Sequence, residues 1–183
     1  MGALISYFHN VYENFFYIRC RIGICGISNV GKTSILYLLT KEEEKIYGLM
    51  PNIHPIYAEF YYNSLAMKLH DYGGRYNSHM MMLDCVQDFD ALIFVVDISD
   101  RAMFDESRRE LAKILEHPLT DRLPIVVMAN KKDLASACPL NEVIEAVGIE
   151  KFTKSHNIHV ISTTIRKKET IFEALQWLEK IIH

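Results

Sequence analysis

Gly26-Ile27-Ser28-Asn29-Val30-Gly31-Lys32-Thr33 decides how this 183-residue chain is read. The stretch fits the spacing G-x-x-x-x-G-K-[ST], follows the apolar run Ile22-Gly23-Ile24-Cys25, and leads into Ser34-Ile35-Leu36-Tyr37-Leu38-Leu39, which predicts a helix. Strand, glycine loop and helix in that order make a phosphate-binding loop. Gly26 and Gly31 let the backbone turn and bring N–H groups against an anion, and the helix N-terminus adds the positive end of its dipole. The candidate contacts are therefore Gly26, Ser28, Asn29, Val30, Gly31, Lys32, Thr33 and Ser34. Lys32 supplies a point charge, and the Thr33 hydroxyl is an oxygen ligand suited to Mg²⁺ between the last two phosphates.

Downstream, Pro51-Asn52-Ile53-His54-Pro55 marks an irregular loop, since each proline biases its predecessor away from helix. Two strand-like runs follow, Tyr57 to Tyr62 and Leu65 to His70, joined at Asn63-Ser64 as a hairpin. Leu65, Met67 and Leu69 alternate with Ala66, Lys68 and His70, the period of a strand with one covered face. That strand ends in Asp71-Tyr72-Gly73-Gly74. A carboxylate at a strand's C-terminal edge is placed to hold Mg²⁺ or its waters, and the glycines let a backbone N–H, at Gly74, approach a terminal phosphate.

Ala91 to Asp97 is a continuous apolar run closed by a carboxylate, the pattern of a strand buried on both faces. Asp100 to Leu115 predicts a helix with Phe104, Leu111 and Leu115 on one side, and Pro124 to Ala129 predicts a second buried strand. It delivers Asn130-Lys131-Lys132-Asp133. The Asp133 carboxylate can accept two hydrogen bonds from N1–H and the exocyclic amine of guanine. Adenine offers no such donor pair, and would leave the carboxylate desolvated and unpaired. Asn130 would brace the loops, and the aliphatic stem of Lys131 would lie along the base plane. A further strand, His159 to Ser162, leads to Thr163-Thr164-Ile165, whose backbone N–H groups are positioned for the guanine carbonyl, with Thr164 and Ile165 the named contacts. Thr170 and Glu173 predict a capping box for a last helix with Ile171, Leu175, Leu178 and Ile182 on its core face. Strands alternating with helices predict an α/β fold with a mostly parallel six-stranded sheet, helices on both faces and the ligand at the strands' C-terminal edge.

The N-terminus reads Met1-Gly2-Ala3-Leu4-Ile5-Ser6, the pattern that exposes Gly2 for N-myristoylation. Leu4, Phe8, Val11 and Phe15 then form one stripe of an amphipathic helix. The stripe packs on the domain, supplies the second anchor that a single acyl chain needs on a membrane, or does each in turn. Residues 1–16 are thus expected to be a membrane-binding helix and 17–183 a nucleotide-binding domain. A net charge of −3 with interspersed signs and no basic patch argues against nucleic acid as a partner. Four cysteines, Cys20, Cys25, Cys85 and Cys138, show no C-x-x-C pair, which fits a reducing cytosolic setting. No apolar run reaches the ~18 residues of a spanning helix.

With the glycine loop, Asp71-Tyr72-Gly73-Gly74 and Asn130-Lys131-Lys132-Asp133 in order, the chain resembles a small GTPase. Gly2 ahead of an amphipathic helix, Val95-Val96-Asp97-Ile98-Ser99-Asp100-Arg101, Ala129 to Leu134 and Leu175-Gln176-Trp177-Leu178 make it similar to the ADP-ribosylation factor and Arf-like branch over its whole length. The resemblance implies a monomeric, membrane-associated GDP/GTP switch with Mg²⁺ on the cytosolic face of Golgi or endosomal membranes, in which exchange shifts the two interswitch strands and expels the N-terminal helix. It also implies protein effectors and an exchange factor, which the residues do not name.

Three departures qualify the resemblance. Where the family places a Mg²⁺-ligating threonine before the interswitch strands, this chain has Asn52, and no Ser or Thr lies between Lys41 and Asn63. The glutamine that orients the attacking water is replaced by Arg75, a cation that cannot act as a base. The aromatic triad offered to effectors becomes Pro55, His70 and Cys85, with Met80-Met81-Met82 either an adaptable surface or part of the core. The expectation is a GTP-binding protein of membrane traffic with weak or absent hydrolysis. The alternative is a nucleotide-insensitive adaptor on the same fold. A P-loop kinase or ATPase is disfavoured by Asp133 and by the absence of a lid or substrate domain.

Overall fold

The computed structural model describes residues 17–46, 55–73 and 78–182. The expected N-terminal helix with Gly2, the loop residue Asn52, and Gly74 and Arg75 lie outside the described residues. Six strands form one sheet in the order β2-β3-β1-β4-β5-β6, with β1 Ile18–Cys25, β2 Ile56–Tyr62, β3 Leu65–Asp71, β4 Ala91–Asp97, β5 Ile125–Asn130 and β6 Ile158–Ser162. Only the β2–β3 pair is antiparallel, joined as the sequence predicts by Asn63-Ser64, with Tyr62 opposite Leu65 and Asn63 at φ 48°. The other neighbours are parallel. Among the described residues the α-helices are α1 Lys32–Leu39, α2 Ser78–Asp84, α3 Phe104–Leu115, α4 Leu140–Ala146 and α5 Lys168–Ile182.

Alternation along the strands sends side chains into two apolar layers. One holds Ile22 and Ile24 of β1, Leu65, Met67 and Leu69 of β3, Ile93 and Val95 of β4, with Ile35, Leu36 and Leu39 of α1 and Ile171, Leu175 and Leu178 of α5. The other holds Leu92, Phe94 and Val96 of β4 and Ile125 and Val127 of β5 against Phe104, Leu111, Ile114 and Leu115 of α3 and Val143 of α4. All seven residues of β4 are buried, so its apolar run is that of a central strand covered on both sides. Because every crossover returns to the same edge, the C-terminal ends of β1, β3, β4, β5 and β6 meet there, and their loops build the site.

Two expected boundaries are corrected. The stretch from Asp100 opens with a 3₁₀ turn, Arg101–Met103, before the α-helix begins at Phe104. Thr170 does not cap α5, which already starts at Lys168. Its hydroxyl instead donates to the Lys167 carbonyl at 2.8 Å and accepts from Thr164 N–H at 3.1 Å, tying the helix to the loop after β6. A threonine that back-bonds to a preceding carbonyl lies within the turn, not ahead of it.

Candidate nucleotide site

The glycine loop is held in a shape that only glycine permits at two points. Gly26 has φ 130°, and a Cβ there would lie 2.4 Å from the Val95 carbonyl oxygen. Gly31, at φ 99°, is the residue before α1, and its Cβ would meet Asn130 Nδ2 at 2.5 Å. The close approach exists because Asn130 Nδ2 donates to the Val30 carbonyl at 2.9 Å, fastening the end of β5 to the loop. Lys131 adds a second tie, its Nζ donating to the Asn29 carbonyl at 2.7 Å while pairing with Asp97 Oδ2, also at 2.7 Å. Ser28 and Asn29 face solvent, Val30 is buried, and Ser34 is half-buried on the first turn of α1. That turn has no side-chain cap and no acidic residue, so its N–H groups and dipole are left for an anion.

Lys32 is 5 % exposed, and its Nζ donates to the Ile27 carbonyl at 2.6 Å inside the loop. Burial pulls its ammonium below the ordinary lysine value, with the Asp71 carboxylate acting in the opposite sense. Beside it, Thr33 Oγ1 donates to Asp71 Oδ2 at 2.5 Å. A hydroxyl and a carboxylate oxygen that close are a hard oxygen pair of the kind Mg²⁺ takes together with phosphate and water ligands, so the residues present fit that ion. Among the described residues no group of three or more His, Cys, Asp or Glu is arranged to hold a metal.

At the other end, Asp133 is held from two sides. Its Oδ1 accepts from Thr164 Oγ1 at 2.6 Å, and its Oδ2 lies 3.0 Å from Arg166 Nε. Thr163 Oγ1 donates to Asn130 Oδ1 at 3.3 Å. Of the three N–H groups proposed to face a base, Thr163 donates to Ala129 O and Thr164 to Thr170 Oγ1, while that of Ile165 meets no acceptor among the described residues. Thr164 therefore enters the site through its hydroxyl, a correction to the expected main-chain role. The structure brings Gly26 to Ser34, Asp71, Asn130, Lys131, Asp133, Thr164 and Ile165 to one edge.

Sequence reasoning missed Asp97, Arg166 and the hydroxyl role of Thr163, which it had given only a main-chain one. Asp97 was signalled by its place at the C-terminal end of a buried strand, and its Oδ1 also accepts from Ser99 N–H and Oγ. The other two carry no spacing signal. Helix α2 has Met82 fully buried while Met80 and Met81 are 53 % and 44 % exposed, so the methionine run is divided between core and surface.

An open, mostly parallel sheet with this glycine loop and this carboxylate loop at one edge is the small-GTPase fold. The profile of the ADP-ribosylation factor family matches residues 8–182, and the chain belongs to that family. ADP-ribosylation factor-like protein 1 of Caenorhabditis elegans is 32 % identical over 178 residues, covering 97 % of this chain and 96 % of the relative. The small COPII coat GTPase SAR1B of Dictyostelium discoideum is 28 % identical, covering 97 % of this chain and 95 % of its own. The Arl6 BBS3 small GTPase of Trypanosoma brucei, solved with the nucleotide analogue GppNp, superimposes with a TM-score of 0.78 at 22 % identity, over 90 % of this chain and 98 % of that one.

Proposed function

We propose that this chain binds guanine nucleotide, with the phosphates on residues 26–34 and Gly74 and the base on Asn130, Lys131, Asp133, Thr164 and Ile165. The observation that carries the reading is the pair of ties from Asn130 and Lys131 to the carbonyls of Val30 and Asn29. They set the distance between the anion cradle and the base-reading carboxylate before a ligand arrives, so little ordering remains to be done on binding. The two Asp133 oxygens accept the paired N–H donors of guanine, the stem of Lys131 supports the base, and the N–H of Ile165 is placed for the carbonyl. Lys32 leaves the Ile27 carbonyl for the phosphates. Thr33 and Asp71, with Asn52, would hold Mg²⁺, which when bound offsets charge between the last two phosphates.

The same reading makes the protein a membrane-associated switch in vesicle or organelle traffic, acylated at Gly2 and monomeric, with residues 1–16 as the membrane-binding part. The Dictyostelium relative is a COPII coat GTPase, which supports traffic as the setting. Hydrolysis is slow or absent, because Arg75 stands where a water-orienting glutamine would, and an arginine has donors only. Effectors meet an unusual surface, with Met80 and Met81 exposed and Cys85 beside them in place of rigid aromatics. Single-turnover measurement on GTP-loaded protein tests the hydrolytic claim. The expected rate is close to that of GTP without protein, rising in Arg75→Gln, and a rate typical of an active small GTPase would refute it. Identical partner binding under GDP and a non-hydrolysable GTP analogue would favour a fixed adaptor over a switch.

A further inference from the structure

The carboxylate that reads the base is already paired with a group that chemically resembles the base. Guanine donates to a carboxylate through N1–H and its 2-amino group, two parallel N–H bonds from a planar guanidine unit. Arginine presents the same unit as a rigid fork. Arg166 places its Nε 3.0 Å from Asp133 Oδ2, while Thr164 Oγ1 takes Oδ1 at 2.6 Å. The Arg166 main-chain N–H donates to the same Thr164 hydroxyl at 3.1 Å, so the loop that carries the guanidinium is anchored at the carboxylate it covers. The side chain itself is 74 % exposed and that of Asp133 is 21 % exposed, which makes the guanidinium the movable partner.

We infer that Arg166 is a specificity-determining residue, an internal mimic of guanine that competes with the base for Asp133 Oδ2. The inference rests on the guanine-binding reading above. A carboxylate has about four lone-pair directions. With Thr164 on Oδ1 and Arg166 on Oδ2, a base with one donor fits on Oδ1 with the guanidinium in place. A base that also uses Oδ2 competes with the guanidinium for that oxygen. Arg166 thus lowers affinity for guanine more than for hypoxanthine and narrows the discrimination between them.

The test measures dissociation constants of the full chain for GDP and inosine diphosphate in wild type, Arg166→Ala and Arg166→Lys, with thermal melts to show that each variant is folded. Arg166→Ala is expected to tighten GDP by about twofold to fivefold, the scale of a partly exposed ion pair, and to leave inosine diphosphate nearly unchanged. Arg166→Lys keeps the charge without the planar fork, and should shift the ratio of the two affinities toward that of Arg166→Ala. Unchanged or weaker GDP binding in Arg166→Ala overturns the inference, as does an equal change for both nucleotides, which would mark a simple charge effect. If neither wild type nor Arg166→Ala takes up GDP, Arg166 is not what limits the base, and the guanine reading fails with it. If wild type binds GDP and the ratio does not move, only the inference on Arg166 fails.

Discussion

Adding a methyl group at Gly26 would place a carbon 2.4 Å from the Val95 carbonyl oxygen, and the backbone of a central strand cannot step aside. With φ at 130° the strain adds to the clash. Gly26→Ala is therefore expected to cost about 2 kcal/mol or more of folding stability, read as a lower urea midpoint at unchanged slope. An unchanged midpoint would mean that the loop relaxes freely. Lys32 and Thr33 were legible in the sequence because their spacing is itself the signature of strand, loop and helix, and Asn130 and Asp133 because theirs closes a buried strand. The side-chain pairings of Asp97, Thr163 and Arg166 were not, since each acts through a partner on another loop: Asp97 on Lys131, Thr163 on Asn130, Arg166 on Asp133.

Strand β3 joins two ends of the molecule. Asp71 at one end meets Thr33, and Ser64, just before the other, is clamped to α5 by Glu179. Glu179 Oε1 accepts from Ser64 Oγ at 2.8 Å and Oε2 accepts from Asn63 Nδ2 at 2.9 Å. These are charge-assisted bonds at a partly exposed turn, so Glu179→Ala should cost about 0.5–1 kcal/mol globally. The larger effect is local, with faster amide hydrogen exchange at the Asn63-Ser64 turn, and unchanged exchange there would show that the clamp holds nothing. The β2–β3 hairpin was readable from its alternation and its Asn-Ser turn. Helix α4 was not, since Leu140–Ala146 spans only seven residues and offers too few turns for a period to show. The start of α5 was misplaced because a threonine and a glutamate at capping-box spacing can also sit inside the first turns.

Across the whole molecule, the two apolar layers place the four cysteines in unequal positions. Cys20, Cys25 and Cys138 are buried and Cys85 is exposed. Burial pushes the thiols of Cys20 and Cys25 up to about 12, in Cys25 against the opposing pull of Lys32. Native protein at mildly alkaline pH should therefore alkylate rapidly at Cys85 alone, with the other three reacting only on unfolding. Rapid labelling of Cys25 would contradict the packing of β1 against β4. The order of elements and the six-stranded sheet were legible because buried runs and amphipathic stretches alternate along the chain. The mutual fastening of the two loops was not, since it depends on carbonyls of the glycine loop that carry no sequence signal.

The most direct measurement is calorimetric titration of the purified full chain, stripped of bound ligand, with GDP, a non-hydrolysable GTP analogue and ADP in excess Mg²⁺. Saturable one-to-one binding of both guanine nucleotides is expected, with ADP weaker by about 100-fold or more because adenine leaves the Asp133 oxygens unmatched. No uptake of guanine nucleotide at millimolar concentration, or ADP binding as tightly as GDP, would contradict the account.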